Sequence, residues 1–241
     1  MTDQTFEALI MIGRPASGKS EITDYLLHLP ADERLRSYHI GDLDVIDDFP
    51  MLWTWFEEDA ILSEILGQPR LHSDENNYFK HQYLWNLLIE RIGMEYHKRL
   101  HDDSHYHDYT TTLVEFSRGN EHGGYRDAFG HLPDDLLDRA GVIYVNVSFE
   151  ESLRKNRRRF NPERPYSILE HGLPDEKMER LYREVDWEDF RAGDPHFLPV
   201  RGMHIPYVVF ENEDDVTTNT PDLLAARLDD VLNRLMKLKN E

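Results

Sequence analysis

Eight consecutive residues carry the densest chemistry of the chain: Gly13, Arg14, Pro15, Ala16, Ser17, Gly18, Lys19 and Ser20. They fit the spacing Gly-x-x-x-x-Gly-Lys-Ser/Thr, and each fixed position has its own physical reason. Gly13 and Gly18 permit backbone angles and close approach that a Cβ would block, so successive amides can turn inward and hold an anion. Lys19 brings a compact charge suited to β- and γ-phosphates, and Ser20 a hydroxyl suited to Mg²⁺. The bland alternative is a glycine turn with a solvated lysine. Context argues against it, because ALIMIG before the loop reads as a strand and EITDYLLHL after it as a helix, the setting the spacing requires. The whole stretch is therefore read as a site for the phosphates of a nucleoside triphosphate.

Such a loop needs acidic and basic partners, and the elements that follow supply candidates. RSYHIGDLDVID reads as a second strand ending in Asp42 and Asp44. Beyond the carboxyl ends of an open parallel sheet, where ligands sit, these two could accept a hydroxyl proton or hold Mg²⁺ through water. Either could instead cap the next element. TTLVEFSRG is the third strand; its Glu115, after an apolar pair, is the second acid expected near Mg²⁺. Arg118 is a candidate for a phosphate of the acceptor or for the surface, and Gly119, Gly123 and Gly124 loosen the loop behind it. GVIYVNVSF is a continuous apolar strand of the kind buried on both faces.

ESLRKNRRRFNPERP then reads as a helix whose end carries Arg154, Arg157, Arg158 and Arg159, with Arg164 beyond. The chain has 47 acidic against 27 basic residues, a formal net charge of −20. In that setting the cluster reads either as an offset to the helix dipole or as a lid that neutralises a transferring phosphoryl group. The expected catalytic set is Lys19, Asp42, Asp44, Arg118, Arg158 and Arg164, with Ser20, Asp42 and Glu115 as the metal side.

Residues 50–109 are helical in pattern, with a start at Ser73 and apolar residues from Tyr78 to Leu100 at helical spacing. Trp53, Trp55, Phe56, Tyr83 and Trp85 could stack on a ring or simply pack. His97, His101 and His105 recur every fourth residue, but the Asp-Asp-Ser run among them reads as a solvated helix end. HIPYVVFEN is the last strand, ENEDD after it stands where a loop could touch adenine, and Thr220-Pro221 opens a C-terminal helix. The net charge disfavours a broad nucleic-acid or anionic-membrane surface. The absence of cysteine excludes disulfides and thiol catalysis. No apolar run is long enough to span a bilayer and MTDQTFE does not read as a signal peptide, so a cytoplasmic protein is expected. One domain over residues 1–241 fits, with a substrate-side insertion at 50–109 and a lid at 155–200.

This order of elements resembles that of the P-loop kinases of the nucleoside/nucleotide kinase-like superfamily, in its shikimate kinase-like and adenylate kinase-like branches, across the chain outside residues 50–109. The resemblance rests on GRPASGKS, on GDLDVID, which is similar to the Asp-x-Asp ending the second strand of shikimate kinase-like members, on Glu115, and on the arginine-rich segment. There Arg157 and Arg164-Pro165 are spaced like an adenine-side arginine and a lid Arg-Pro, and the resemblance implies those roles. It implies a three-layer α/β fold with a five-stranded parallel sheet in the order 2-3-1-4-5, and ATP with Mg²⁺ as donor. SRGNEHGG departs from the triple glycine of shikimate kinases, and the substrate-side segment is longer. The expected activity is transfer of the γ-phosphoryl group to a hydroxyl or phosphate of a nucleoside, nucleotide or polyol-like metabolite. The alternative is a nucleotide-hydrolysing or nucleotide-sensing protein that acts through a protein partner.

Overall fold

The computed structural model describes residues 5–160, 163 and 172–241. The amino-terminal half runs β1 (Ala8–Gly13), α1 (Lys19–His28), α2 (Ala31–Tyr38), β2 (Asp42–Asp47), α3 (Asp48–Ala60), α4 (Tyr83–Asp102), α5 (Tyr106–Tyr109) and β3 (Thr110–Phe116). It continues through α6 (Gly124–His131), α7 (Asp134–Arg139), β4 (Ala140–Asn146), α8 (Phe149–Arg159), α9 (Asp175–Tyr182) and α10 (Trp187–Arg191). The chain closes with β5 (Phe197–Val200), β6 (Met203–Glu211), α11 (Val216–Asn219) and α12 (Pro221–Lys239).

The layering follows from the alternation of side chains along the central strand. Ala8, Ile10 and Ile12 of β1 face a core completed by Ile89, Ile92 and Tyr96 of α4, Phe129 of α6, and Trp187 and Phe190 of α10. Leu9 and Met11 face the opposite core, with Ile22 and Leu26 of α1 and the Leu224, Leu228, Val231, Leu232, Leu235 stripe of α12. Both faces of the strand are therefore dry, and helices cover the sheet on each side.

Six strands lie in the order β2-β3-β1-β4-β6-β5. The first five are parallel to one another, while β5 pairs with β6 in antiparallel fashion. The five-stranded order 2-3-1-4-5 expected from the sequence is thus corrected by an added edge strand. Arg201 and Gly202, both at positive φ (47° and 85°), form the two-residue turn that joins β5 to β6, a backbone geometry that matches strand twist. Pro199 sits in this edge strand, where a missing N–H is tolerated.

Two further expectations are corrected. No helix starts at Ser73; instead Ser73 bridges Phe79, and Asp74 Oδ1 accepts from the N–H groups of Asn76 and Tyr78, both at 2.9 Å. That Asx-type turn competes with helix formation, and the helix begins only at Tyr83. The helix α4 is the crossover between β2 and β3 and packs on the sheet, so only the outer part of 50–109 stands away from it. Trp187 and Phe190 of α10 also lie in the sheet core. Among the described residues no helix is long and apolar enough to cross a membrane.

Candidate active site

The loop between β1 and α1 is held from outside. Ser152 Oγ donates to the carbonyl of Pro15 at 2.6 Å, and Asn212 Nδ2 to that of Ser17 at 2.7 Å. In a trans peptide the N–H points opposite to the C=O, so these anchors turn the Ala16 and Gly18 amides the other way. A Cβ on Gly13 would stand 2.6 Å from the carbonyl oxygen of Val145. On Gly18, at φ 113°, it would stand 2.4 Å from Asn212 Nδ2. Ala16 itself adopts a left-handed φ of 54°. The loop is a tight cradle that tolerates no larger residue at either glycine, and α1 starts on its last turn.

Lys19 is 6% exposed. Its Nζ donates to Ser117 Oγ at 2.9 Å and to the carbonyl of Arg14 at 3.2 Å, and stands 3.9 Å from Oε1 of Glu115. Burial lowers its affinity for a proton, against the opposing pull of Glu115 and Asp47. Ser20 is exposed at the mouth of the same cleft.

Three carboxylates converge opposite the loop. Asp47 and Glu115 are register partners at the carboxyl ends of β2 and β3, and Asp48 opens α3. Burial, then the neighbouring Glu115 and Asp48, push the Asp47 carboxyl up to about 7. Burial also raises that of Glu115, against the pull of Lys19. Buried acids crowded in this way resist ionisation until a cation arrives. Among the described residues no group of three or more His, Asp or Glu is arranged to hold a metal by itself. Mg²⁺, which keeps several waters and takes one or two carboxylates plus substrate phosphates, does not need such a group. The donor set of Ser20, Asp47 and Glu115 beside a phosphate cradle fits that ion.

Asp42 and Asp44 are not part of this cluster. The strand begins at Asp42 rather than ending there, so both lie at its far end. Asp42 faces Arg34 at 3.5 Å, and Asp44 accepts from Arg99 Nε at 2.6 Å and from the Tyr106 hydroxyl at 2.9 Å. The missed signal is Val45-Ile46-Asp47-Asp48, an apolar pair followed by acid, the pattern by which Leu113-Val114-Glu115 is recognised.

The arginines are also redistributed. Arg118 is 1% exposed and lines the cleft: Nη1 donates to Asp48 Oδ2 at 2.6 Å, Nη2 to the carbonyl of Trp85 at 3.1 Å. Its Nε has no partner among the described residues. Arg14 instead clamps the loop to the carbonyls of Val147, Tyr182 and Arg183, each at 3.1 Å. Arg157 pairs with Asp175, and Arg158 with Asp215 at 2.8 Å, so neither side chain lines the cleft. The arginine of that helix end that does line it is Arg159. Arg164 lies outside the described residues. The cleft encloses about 910 Å³, open solvent included, and is lined by Lys19, Ser20, Asp47, Asp48, Glu115 and Arg118 among others.

No family model and no curated protein sequence matches the chain. Among solved structures it is similar to a sugar kinase from Janibacter sp. HTCC2649, at 13% identity over 94% of each chain with a TM-score of 0.44. It is also similar to the shikimate kinase from Acinetobacter baumannii solved with shikimate, at 13% identity over 96% of each chain with a TM-score of 0.44. The glycine-bracketed loop after the central strand, the buried lysine at its end, and the β2-β3-β1-β4 order with acids at two strand ends give this chain a three-layer α/β fold with a P-loop-type turn between β1 and α1.

Proposed function

We propose that this protein is an ATP-dependent kinase of a small molecule. The observation that carries the reading is the meeting, in one cleft, of the Gly13–Ser20 cradle, buried Lys19, the strand-end acids and the Arg118–Asp48 pair. The loop amides and Lys19 would hold the β- and γ-phosphates; Ser20, Asp47 and Glu115 would hold Mg²⁺, whose charge offsets that of the phosphates. Asp48 lies on the Arg118 side and is set to take the proton of an acceptor hydroxyl. The acceptor oxygen forms the new bond to the γ-phosphorus, the bond from that phosphorus to the bridging oxygen breaks, and ADP leaves. Lys19 and Arg159 stabilise the charge on the transferring group.

The test is ADP release by the full chain with a panel of nucleosides, nucleotides and polyols. One acceptor should raise turnover at least a hundredfold over ATP alone, and Lys19→Ala should lose both the stimulation and ATP binding while keeping its thermal unfolding. Hydrolysis of ATP that no small acceptor changes would overturn the reading in favour of a nucleotide-hydrolysing switch.

A further inference from the structure

A second compartment of about 720 Å³, open solvent included, adjoins the cleft and shares Phe49, Leu52, Trp85, Leu173 and Tyr182 with it. One side is aromatic: the Phe79 ring stands 4.6 Å from Trp85 and 5.6 Å from Phe56. At the rim, Tyr78 lies under two cations of α9, Arg180 at 4.3 Å and Lys177 at 4.9 Å. Arg180 is neutralised by Glu121 through bonds of 2.5–2.8 Å. Lys177 reaches only the carbonyl of Asn77, at 3.4 Å, and no carboxylate among the described residues lies within ion-pair distance of it. It is a half-buried cation with no ion-pair partner among the described residues, attracted by Asp74 only from beyond that distance, in a chain of net charge −20.

His122 lines the same compartment and is 1% exposed. Its Nδ1 accepts from the Gly119 N–H at 3.2 Å, which places the ring proton on Nε2. Burial and the nearby Arg118 charge keep the ring neutral. The Nε2–H has no acceptor among the described residues, although buried donors are almost always satisfied. The ring stacks 3.7 Å from Trp85 and Nε2 is itself enclosed, so an oxygen reaches Nε2 only with a shift of the wall beside that indole.

We propose that this compartment is the acceptor subsite, and that the acceptor joins a planar unsaturated ring to an anionic group, carboxylate or phosphate. The ring lies against the Tyr78, Phe79 and Trp85 wall, the anion meets Lys177, and an oxygen takes the His122 Nε2–H. The word acceptor rests on the kinase reading; the binding chemistry does not. An acceptor with these features, its hydroxyl directed toward Asp48, spans the two compartments through their shared wall.

The experiment titrates the tryptophan fluorescence of the full chain, with and without AMP-PNP and Mg²⁺, using uridine 5′-monophosphate, 4-hydroxybenzoate, uridine, phenol and ribose 5-phosphate. At least one of the two ring–anion probes is expected to bind saturably and at least tenfold tighter than its uncharged counterpart and than ribose 5-phosphate; which of the two does so separates phosphate from carboxylate. Lys177→Met should weaken that probe about tenfold without changing the ring-only compound, and Lys177→Arg should restore it. The proposal is overturned if AMP-PNP binds but neither ring–anion probe does, if ribose 5-phosphate binds as well, or if Lys177→Met has no effect. Loss of AMP-PNP binding with retained probe binding would instead sink the kinase reading and leave the compartment standing.

Discussion

Arg118 and Asp48 form a buried ion pair at 2.6 Å, with side chains only 2% and 8% exposed, that ties the segment after β3 to the first residue of α3. Both the phosphate cleft and the aromatic compartment touch this junction through Trp85, whose ring lies 5.3 Å from the guanidinium. Removing one partner strands the other in a dry site, which costs about 3–5 kcal/mol. Arg118→Met is expected to lose that much in urea unfolding, and Arg118→Met combined with Asp48→Asn to recover more than half of it. Recovery in the double variant without recovery of phosphoryl transfer would separate the structural part of the pair from its chemistry.

The acids at the two ends of β2 make opposite predictions. Asp44→Asn weakens a partly exposed pair with Arg99 and the Tyr106 bond, so it should cost about 1 kcal/mol of stability and leave turnover within about threefold. Asp47→Asn removes one of the crowded acids at the loop. It should raise the Mg²⁺ concentration needed for half-maximal rate at least tenfold with little loss of stability. Steady-state rates across a magnesium series decide between them; equal effects of the two changes would contradict the assignment.

Gly18→Ala probes the cradle. The new methyl would meet Asn212 Nδ2 and Thr217 Oγ1 at a left-handed φ, a conformation that costs a residue with a side chain about 1–3 kcal/mol. Because Asn212 also anchors the Ser17 carbonyl, its displacement should release the loop as well. Calorimetry should register a lowered melting temperature together with ATP binding weakened at least tenfold. A variant that melts lower but binds ATP normally would show that the loop does not need this anchor.

Asp59 organises the chain that bears Tyr78, Phe79 and His81. Fully enclosed, it accepts from the N–H groups of Leu71 and Ser73, both at 2.6 Å, from His72 at 3.1 Å, and from Ser73 Oγ at 2.7 Å. Burial alone would raise its carboxyl, but the bonds from Ser73, His72 and Leu71 outweigh this and hold it below the ordinary carboxylate range. Its stabilising contribution is therefore complete above the unfolded value near pH 4 and is lost as pH falls through the lower folded value. Asp59→Asn should cost about 2–3 kcal/mol at pH 7, seen as faster amide exchange at Leu71–Ser73. The difference from the unmodified chain should stay flat from pH 8 to pH 5 and shrink below pH 4; a difference that grows on acidification would refute the sign.

Local patterns in the chain were enough for the glycine-bracketed turn, the central strands and the carboxyl-terminal helix, because these depend on residues close in sequence. GRPASGKS needs only its neighbours to form a turn between a strand and a helix. Glu115 was legible for the same reason, as an acid after an apolar pair. The Leu224 to Leu235 stripe of α12 needed only its 3.6-residue period.

Register and pairing were decided elsewhere. Local pattern ends β2 at the Asp42 and Asp44 pair, but Val45 and Ile46 pair with Leu113 and Val114 of β3, and a strand end shifted by three residues exchanges one set of acids for another. The arginine cluster was visible as charge, yet which guanidinium faces the cleft depends on Asp175 and Asp215, which lie 18 and 57 residues from Arg157 and Arg158. The edge strand β5, the Asp59-centred turn and the aromatic compartment likewise arise from contacts between distant segments. Composition and short-range spacing determined the glycine-bracketed turn between a strand and a helix; only the three-dimensional packing decided which acids, which arginine and which aromatic wall surround it, because burial and pairing across the sheet are properties of neighbours in space.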